Sequence, residues 1–135
     1  MSYICNIPLT KLEGSKGFVS PLNGKHECVA LVQKGSGGCS NAPLTTQWSK
    51  GKKVMNAKLG DIAQGTVIAT FDENGKYPDT RRHAAIYFSH DKDGIWVYHQ
   101  YKKGNRPNVV HKYKIENKRL PERSTMDADY YYVVE

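Results

Sequence analysis

From about residue 64 onward, short runs of β-branched and aromatic residues alternate with clusters of turn-forming residues, the signature of an antiparallel sheet. The runs predict strands over Gly65 to Phe71, His83 to Ser89, Gly94 to Tyr101, Val109 to Ile115 and Tyr130 to Val134. Between the second and third stand Asp91, Lys92, Asp93 and Gly94, which supply the local side-chain bonding and the positive φ of a tight hairpin. Ahead of the sheet, ECVALVQK over Glu27 to Lys34 predicts a short helix, in which Val29 or Cys28 recurs with Val32 at helical spacing. A turn at Asn23 and Gly24 precedes it and Gly35 ends it. The stretch Gly35 to Pro43 reads as loop, and Thr45 or Thr46 is placed to cap a brief helix through Trp48. Helix first and sheet afterwards predicts an α+β arrangement, with the early helix packed on one face of about five antiparallel strands. At 135 residues the whole chain, 1–135, is expected to form a single domain.

Twenty Lys and Arg against 13 Asp and Glu leave a formal charge of +7, which favours anionic partners through long-range attraction. Nucleic acid and cell-wall polymer both qualify. The basic residues are scattered, with no long basic run and no recognisable nucleic-acid module, so a solvated surface accounts for them equally well. The longest apolar run is far short of the roughly 18 residues needed to cross a bilayer, and no membrane span is expected. The opening MSYICNIPLTKLEG lacks a basic leader with an apolar stretch and a cleavage site. For action outside the cytoplasm, either a route other than general export or a leader removed from this sequence is therefore expected.

Cys5, Cys28 and Cys39 are too few for a disulfide framework and lack zinc-ligand spacing. Their odd number leaves at least one thiol free. Cys39, in the loop GSGGCSN, is placed to pair with Cys5 in an oxidising compartment, leaving Cys28 as the reactive thiol. At the start of a helix, unpaired N–H groups and the helix dipole favour a thiolate, and the same groups can serve as an oxyanion hole. His83 opens the strand HAAIYF, where a base can reach an adjacent helix end. His99 lies across the hairpin, where a group that orients the base belongs, and a one-residue change of register would present Gln100 instead. Each has a bland reading as well: a buried small apolar side chain for Cys28, a satisfied surface imidazole for His83. His26, His90 and His111 are weaker candidates, and no metal constellation or cofactor motif is present, so neither metal nor cofactor is expected. Trp48, Tyr87, Trp96 and Tyr101 are candidate aromatic walls of a cleft, with the core as the alternative place for each.

Three segments, in order, resemble the papain-like cell-wall peptidases of the NlpC and CHAP type. ECVALV is similar to that group's Asp-Cys-Ser-Gly-Phe-Val pattern, with Cys28 at the cysteine. LGDIAQGTVIATF, with Gly60, Asp61 and Ile62, resembles their Gly-Asp-Leu entry into the first strand. RHAAIYF, a turn and GIWVYHQY resemble their His-bearing strand pair, which maps His83 to the base and His99 to the third polar residue. Glu27 stands where Asp is usual beside the nucleophile, and Ala30 where Ser or Gly is usual. Within that superfamily, the short length, the opening SYICNIPLT and the closing Tyr-rich strand resemble the type VI secretion amidase effectors, most nearly their second family, which has domesticated relatives in ticks and mites.

The resemblance implies a papain-like α+β fold and a cysteine amidase with Cys28, His83 and His99 as its catalytic residues. It further implies cleavage of peptide crosslinks in peptidoglycan, expectedly the D-alanine to meso-diaminopimelate bond. Glu27, Trp48 and Gln100 are the expected substrate-binding residues. The implied partners are the secretion apparatus, the wall of a rival bacterium's periplasm and a cognate immunity protein, with no nucleic acid, no membrane and a monomeric enzyme. Two alternatives stand beside it: a non-catalytic basic module that grips wall polymer or nucleic acid, and a housekeeping wall-remodelling amidase.

Overall fold

The structure, a computed structural model, describes residues 2–15, 27–36, 38–100 and 109–135. Its frame is one six-stranded antiparallel sheet: β1 (Lys50–Lys53), β2 (Val67–Thr70), β3 (Ala84–Asp91), β4 (Gly94–His99), β5 (His111–Glu116) and β6 (Tyr131–Val134), in the order β1-β6-β2-β3-β4-β5. All five strands expected from the sequence are present. The added one, β1, is the run KGKK, whose Lys and Gly content carries no strand signal. It pairs with β6 because the chain end returns there, Lys50 opposite Val134, and its position at the sheet edge suits a charged strand.

The β3–β4 hairpin turns through Lys92 and Asp93, with Asp91 opposite Gly94 and the Asp91 carboxylate accepting the Asp93 amide at 2.8 Å. Gly94 is required by close packing as well as by the turn, since a Cβ there would collide with the carbonyl oxygen of Ile115 on β5. The turn at Asn23 and Gly24, His26 and the end of the third expected strand at Tyr101 lie outside the described residues.

Alternation along the strands divides the interior in two. Val67, Ala69, Ala84, Ile86 and Tyr98 face one layer with Leu12, Leu31, Val32, Ala42 and Trp48 from the first part of the chain. Ile68, Ala85, Tyr87, Val97, Ile115, Tyr131 and Val133 face the other, closed by Val54, Ile62 and Ala128. Burial on both faces is why β2 and β3 read as continuous apolar runs, in contrast to a strand with one wet face.

The helical part of the expected α+β arrangement is much reduced. The only α-helix among the described residues is α1 (Leu9–Leu12), and the segment expected as a helix from Glu27 to Lys34 is a single 3₁₀ turn, Cys28–Leu31, followed by a short one at Lys34–Ser36. The fold is mostly β. The reason lies in competing acceptors: the Leu31 carbonyl takes the Cys39 amide at 2.7 Å and the Val32 carbonyl takes the Ser40 hydroxyl at 2.6 Å, so neither is left to extend the helix. The returning loop that makes these bonds is fastened by a disulfide between Cys5 and Cys39, with Cα atoms 4.7 Å apart, and Cys28 is the free cysteine. Gly38 is essential to that return, because a Cβ would press 2.7 Å from the carbonyl oxygens of Ala30 and Gln33. The segment expected as a brief helix through Trp48 is a 3₁₀ turn, Thr45–Gln47, with no side-chain cap.

The connection from β5 to β6 is organised by one carboxylate. Asp127 is fully buried and accepts backbone N–H groups from Lys118 (2.9 Å), Arg119 (3.2 Å), Leu120 (2.7 Å) and Asp129 (3.1 Å). Arg119 is held there at φ 52°, a conformation uncommon for a residue with a Cβ. Burial alone would raise the Asp127 carboxyl, but these four donors outweigh it and lower the pKa below its ordinary value. Its contribution to stability is therefore complete above about pH 5 and fades as the pH falls below the unfolded value near about 4 toward the lowered folded one. Replacing Asp127 by Ala should cost about 3 kcal/mol at neutral pH, since four amides lose their charged acceptor. Urea unfolding at pH 7 and pH 3 checks this: the gap between wild type and variant should narrow at the lower pH.

Candidate active site

His83 enters β3 from a forced turn. Arg81 adopts φ 49°, and the strain of about 1–3 kcal/mol that such a residue stores is held in place by Thr70. The Thr70 hydroxyl accepts the His83 amide at 3.0 Å, and the Thr70 amide donates to the His83 carbonyl at 3.0 Å. The imidazole is thus fixed by its own backbone, and it is 8% exposed. Its Nε2 lies 2.8 Å from Nδ1 of His99, which is 5% exposed at the end of β4.

Gln100 follows on the opposite side of the strand. Fully buried, it donates from Nε2 to the carbonyl of Glu27 at 2.8 Å, the residue just before the Cys28 turn. The two candidates for a third polar group are consequently both present with different tasks: His99 meets the His83 ring, and Gln100 ties the Cys28 turn to the sheet. The Glu27 carbonyl also accepts the Ala30 amide at 3.0 Å, so this backbone oxygen starts the 3₁₀ turn.

Cys28 sits half-buried at the head of that turn, with His83 beside it and Sγ 3.6 Å from the Tyr77 hydroxyl. With His83 Nε2 engaged by His99, Nδ1 is the ring nitrogen left for the thiol. Burial by itself would raise the Cys28 pKa. The charge of His83 and hydrogen bonds from His83, the Tyr77 hydroxyl and the Ala84 amide overcome this, and the thiol ionises below its ordinary value. A four-residue 3₁₀ turn has little dipole, so these neighbours, and not the helix end expected from the sequence, favour the thiolate. Tyr77 responds in the reverse sense: burial and the adjacent Cys28 push its phenol well above the ordinary value, which keeps it a donor. His99 is pushed down to about 3 by burial and by the neighbouring His83 and His111, and it is neutral at physiological pH.

A cavity of about 390 Å³ opens beside the pair, lined by Arg82, His83, His99, Tyr113, Ile115 and Met126 among others. Arg82 leans over the Tyr77 ring, its guanidinium carbon 5.6 Å from the centroid. Trp48 is placed behind the site instead of in a cleft wall: it is 5% exposed, stacks edge-on against Tyr77 at 5.0 Å and donates its indole N–H to the Pro43 carbonyl. Tyr87 is core on the far face of the sheet, where its hydroxyl meets His90, and Trp96 stands on the outer surface near Lys112 and Lys114. Tyr101 lies outside the described residues.

Sequence reasoning did not single out Tyr77, which the fold sets against the Cys28 sulfur. Tyr77 lies in GKYPDT, a turn segment with no periodicity, and only the packing of Trp48 on its ring turns its hydroxyl to the thiol. Among the described residues no group of three or more His, Cys, Asp or Glu side chains is disposed to hold a metal ion.

Comparisons with known proteins identify the family of the chain. A family model described as domesticated amidase effector 2 matches residues 3–134. A type VI secretion amidase effector 2 protein of Salmonella typhi is 34% identical over 120 residues, covering 82% of this chain and 85% of that protein. A domesticated amidase effector 2 of Ixodes scapularis is 37% identical over 112 residues, covering 82% of this chain and 72% of that protein. The solved structure of a type 6 secretion amidase effector 2 has a similar fold, with a TM-score of 0.71 at 29% identity over 93% of this chain and 89% of that one. A family model that matches nearly the whole chain, with relatives of the same description and a similar mostly-β fold, places this chain in the type VI secretion and domesticated amidase effector 2 family.

Proposed function

We propose that this protein is a cysteine amidase that cuts peptide crosslinks in bacterial peptidoglycan, the bond between D-alanine and meso-diaminopimelate being the expected target. The observation that carries this reading is the Cys28 thiol beside the His83 imidazole, with His99 on the far side of that ring at 2.8 Å. Membership of an amidase effector family supports a hydrolase.

In this mechanism Cys28 gives its proton to His83 Nδ1 and attacks the scissile carbonyl carbon as a thiolate. The Tyr77 hydroxyl and the Ala84 amide hold the thiolate until then. The N–H of Cys28, first in its turn and so without an acceptor inside it, is assigned to the developing oxyanion. The imidazolium of His83 protonates the departing amine, leaving an acyl-enzyme. Water, deprotonated by His83, then releases the acid and restores the thiol. His99 Nδ1 accepts a hydrogen bond from His83 Nε2–H throughout, so the ring keeps one orientation while its Nδ1 exchanges protons. Gln100 sets the height of the Cys28 turn against the sheet, and Trp48 acts through Tyr77; both serve the substrate site by position. Glu27, partly exposed at the mouth of the turn, is the residue assigned to contact the stem peptide.

On this reading the enzyme needs no cofactor, works as a monomer and is delivered by a type VI apparatus into the periplasm of a target cell, where a cognate immunity protein of the producer would block it. The net charge of +7 holds such an enzyme near an anionic wall. The Cys5–Cys39 disulfide suits an oxidising compartment and leaves Cys28 reduced for chemistry.

Digestion of purified Gram-negative peptidoglycan, with muropeptides separated and weighed, tests the proposal. Wild type should remove crosslinked dimers, and Cys28→Ala and His83→Ala should each lose at least ~10³-fold in rate, as for members of a catalytic unit. Unchanged digestion by a folded Cys28→Ala variant would sink the cysteine mechanism. A second outcome concerns the thiol alone. Tyr77→Phe should shift the onset of Cys28 alkylation by iodoacetamide to higher pH and slow it about threefold at pH 7, the weight of roughly one modest hydrogen bond.

A further inference from the structure

The imidazoles continue past His99. Its Nε2 lies 3.0 Å from Nε2 of His111, the residue opposite it on β5, and His111 Nδ1 lies 3.4 Å from the Val109 carbonyl oxygen. A carbonyl only accepts, and a neutral imidazole has one donor and one acceptor nitrogen, so each contact decides the next. Donation from His111 Nδ1 to that carbonyl would leave a lone pair on its Nε2. His99 therefore donates from Nε2 and offers a lone pair on Nδ1. His83 in turn donates from Nε2 and presents a bare Nδ1 to the thiol.

We propose that His111 is a positioning residue that selects, through His99, the tautomer of His83 able to deprotonate Cys28. A proton added to His111 reverses every donor in the row. His111 Nε2–H obliges His99 to accept at Nε2 and to donate from Nδ1, so His83 accepts at Nε2 and turns an N–H toward the sulfur. In that state His83 cannot take the thiol proton. The ion pair of thiolate and imidazolium has the same requirement, because His83 Nε2–H needs a lone pair on His99 Nδ1. Protonation of His111 and formation of the ion pair thus exclude one another, and the low pKa of His99 keeps the middle ring from absorbing the extra proton itself. Among the described residues the titratable groups facing His111 are His99 across the strand pair and Tyr113 on its own strand, ring centroids 4.5 Å and 6.3 Å away. Tyr113 stacks on His99 at 5.1 Å with planes 13° apart, which holds the middle ring in register. The neighbouring Lys112 directs its ammonium to Phe88, 4.0 Å from the ring centre.

The inference rests on the Cys28 and His83 assignment above, and its test separates the two. His111→Glu places an acceptor and His111→Lys a donor at a partly exposed position of an edge strand, where both chains should fold; circular dichroism and thermal melting verify that. The Glu variant should keep peptidoglycan turnover within about threefold of wild type and move the acid limb of its pH profile to lower pH. The Lys variant should lose on the order of 10²–10⁴-fold, the scale of a wrong-tautomer base, and its Cys28 should be alkylated only at higher pH. The contrast should persist at high ionic strength, where a simple charge effect is screened. Equal activity of the two folded variants, or a contrast that vanishes in salt, would overturn the role of His111. Alkylation reads the thiolate without any substrate, so a mistaken substrate leaves this comparison standing, whereas Cys28→Ala retaining activity would sink the functional proposal instead.

Discussion

The sheet is buried on both faces at β2, β3 and β4, and that constraint governs the rest of the molecule. A strand covered on both sides cannot slip by one residue without exchanging two cores, so its ends are fixed in space. His83 and His99 sit at such ends, one at the entrance of β3 and the other at the close of β4. Their 2.8 Å contact is thus a property of register, set by the pairing of Ile86 with Tyr98. The Cys28 turn is brought to the same place from 73 positions away by the Gln100 to Glu27 hydrogen bond, and the disulfide closes the loop behind it.

Electrostatically the site works against its own burial. Desolvation would raise the Cys28 thiol and suppress catalysis, and the structure answers with a phenol, a backbone amide and an imidazole directed at one sulfur. Behind the His83 ring, where a carboxylate would supply charge, stands neutral His99. A neutral partner leaves less charge stabilisation for the imidazolium and makes hydrogen-bond direction the means of control. On the proposal above, His111 at the outer end of the row influences a thiol it does not touch.

The sheet was legible because its signals are local. β-branched and aromatic runs bounded by Gly, Asp and Asn gave five of six strands, and the hairpin at Asp91 to Gly94 followed from its turn residues. β1 was not legible, since KGKK is a strand only through the partner that β6 provides. The helix at Glu27 failed for the related reason that Cys39 and Ser40, far along the loop, take the carbonyls it needed. Within the candidate site, residue type and order singled out Cys28, His83 and His99, which the fold brings close together. Tyr77 was not singled out, because a tyrosine in a turn has no pattern until Trp48 packs against it.

By itself, the amino-acid order determined which residue types are available for chemistry, the strand pattern that brings two histidines near one another, and the odd thiol left after Cys5 and Cys39 combine. Tertiary structure alone decided what adjacent residues reach, His99 the His83 ring and Gln100 the Glu27 carbonyl ahead of the cysteine turn, because side chains one apart on a strand face opposite layers. It also decided the source of thiolate stabilisation, which came from Tyr77, Ala84 and His83 in place of a helix end. The physical reason is common to both: hydrogen-bond direction and desolvation depend on what surrounds an atom, and those surroundings are assembled from segments far apart in the chain.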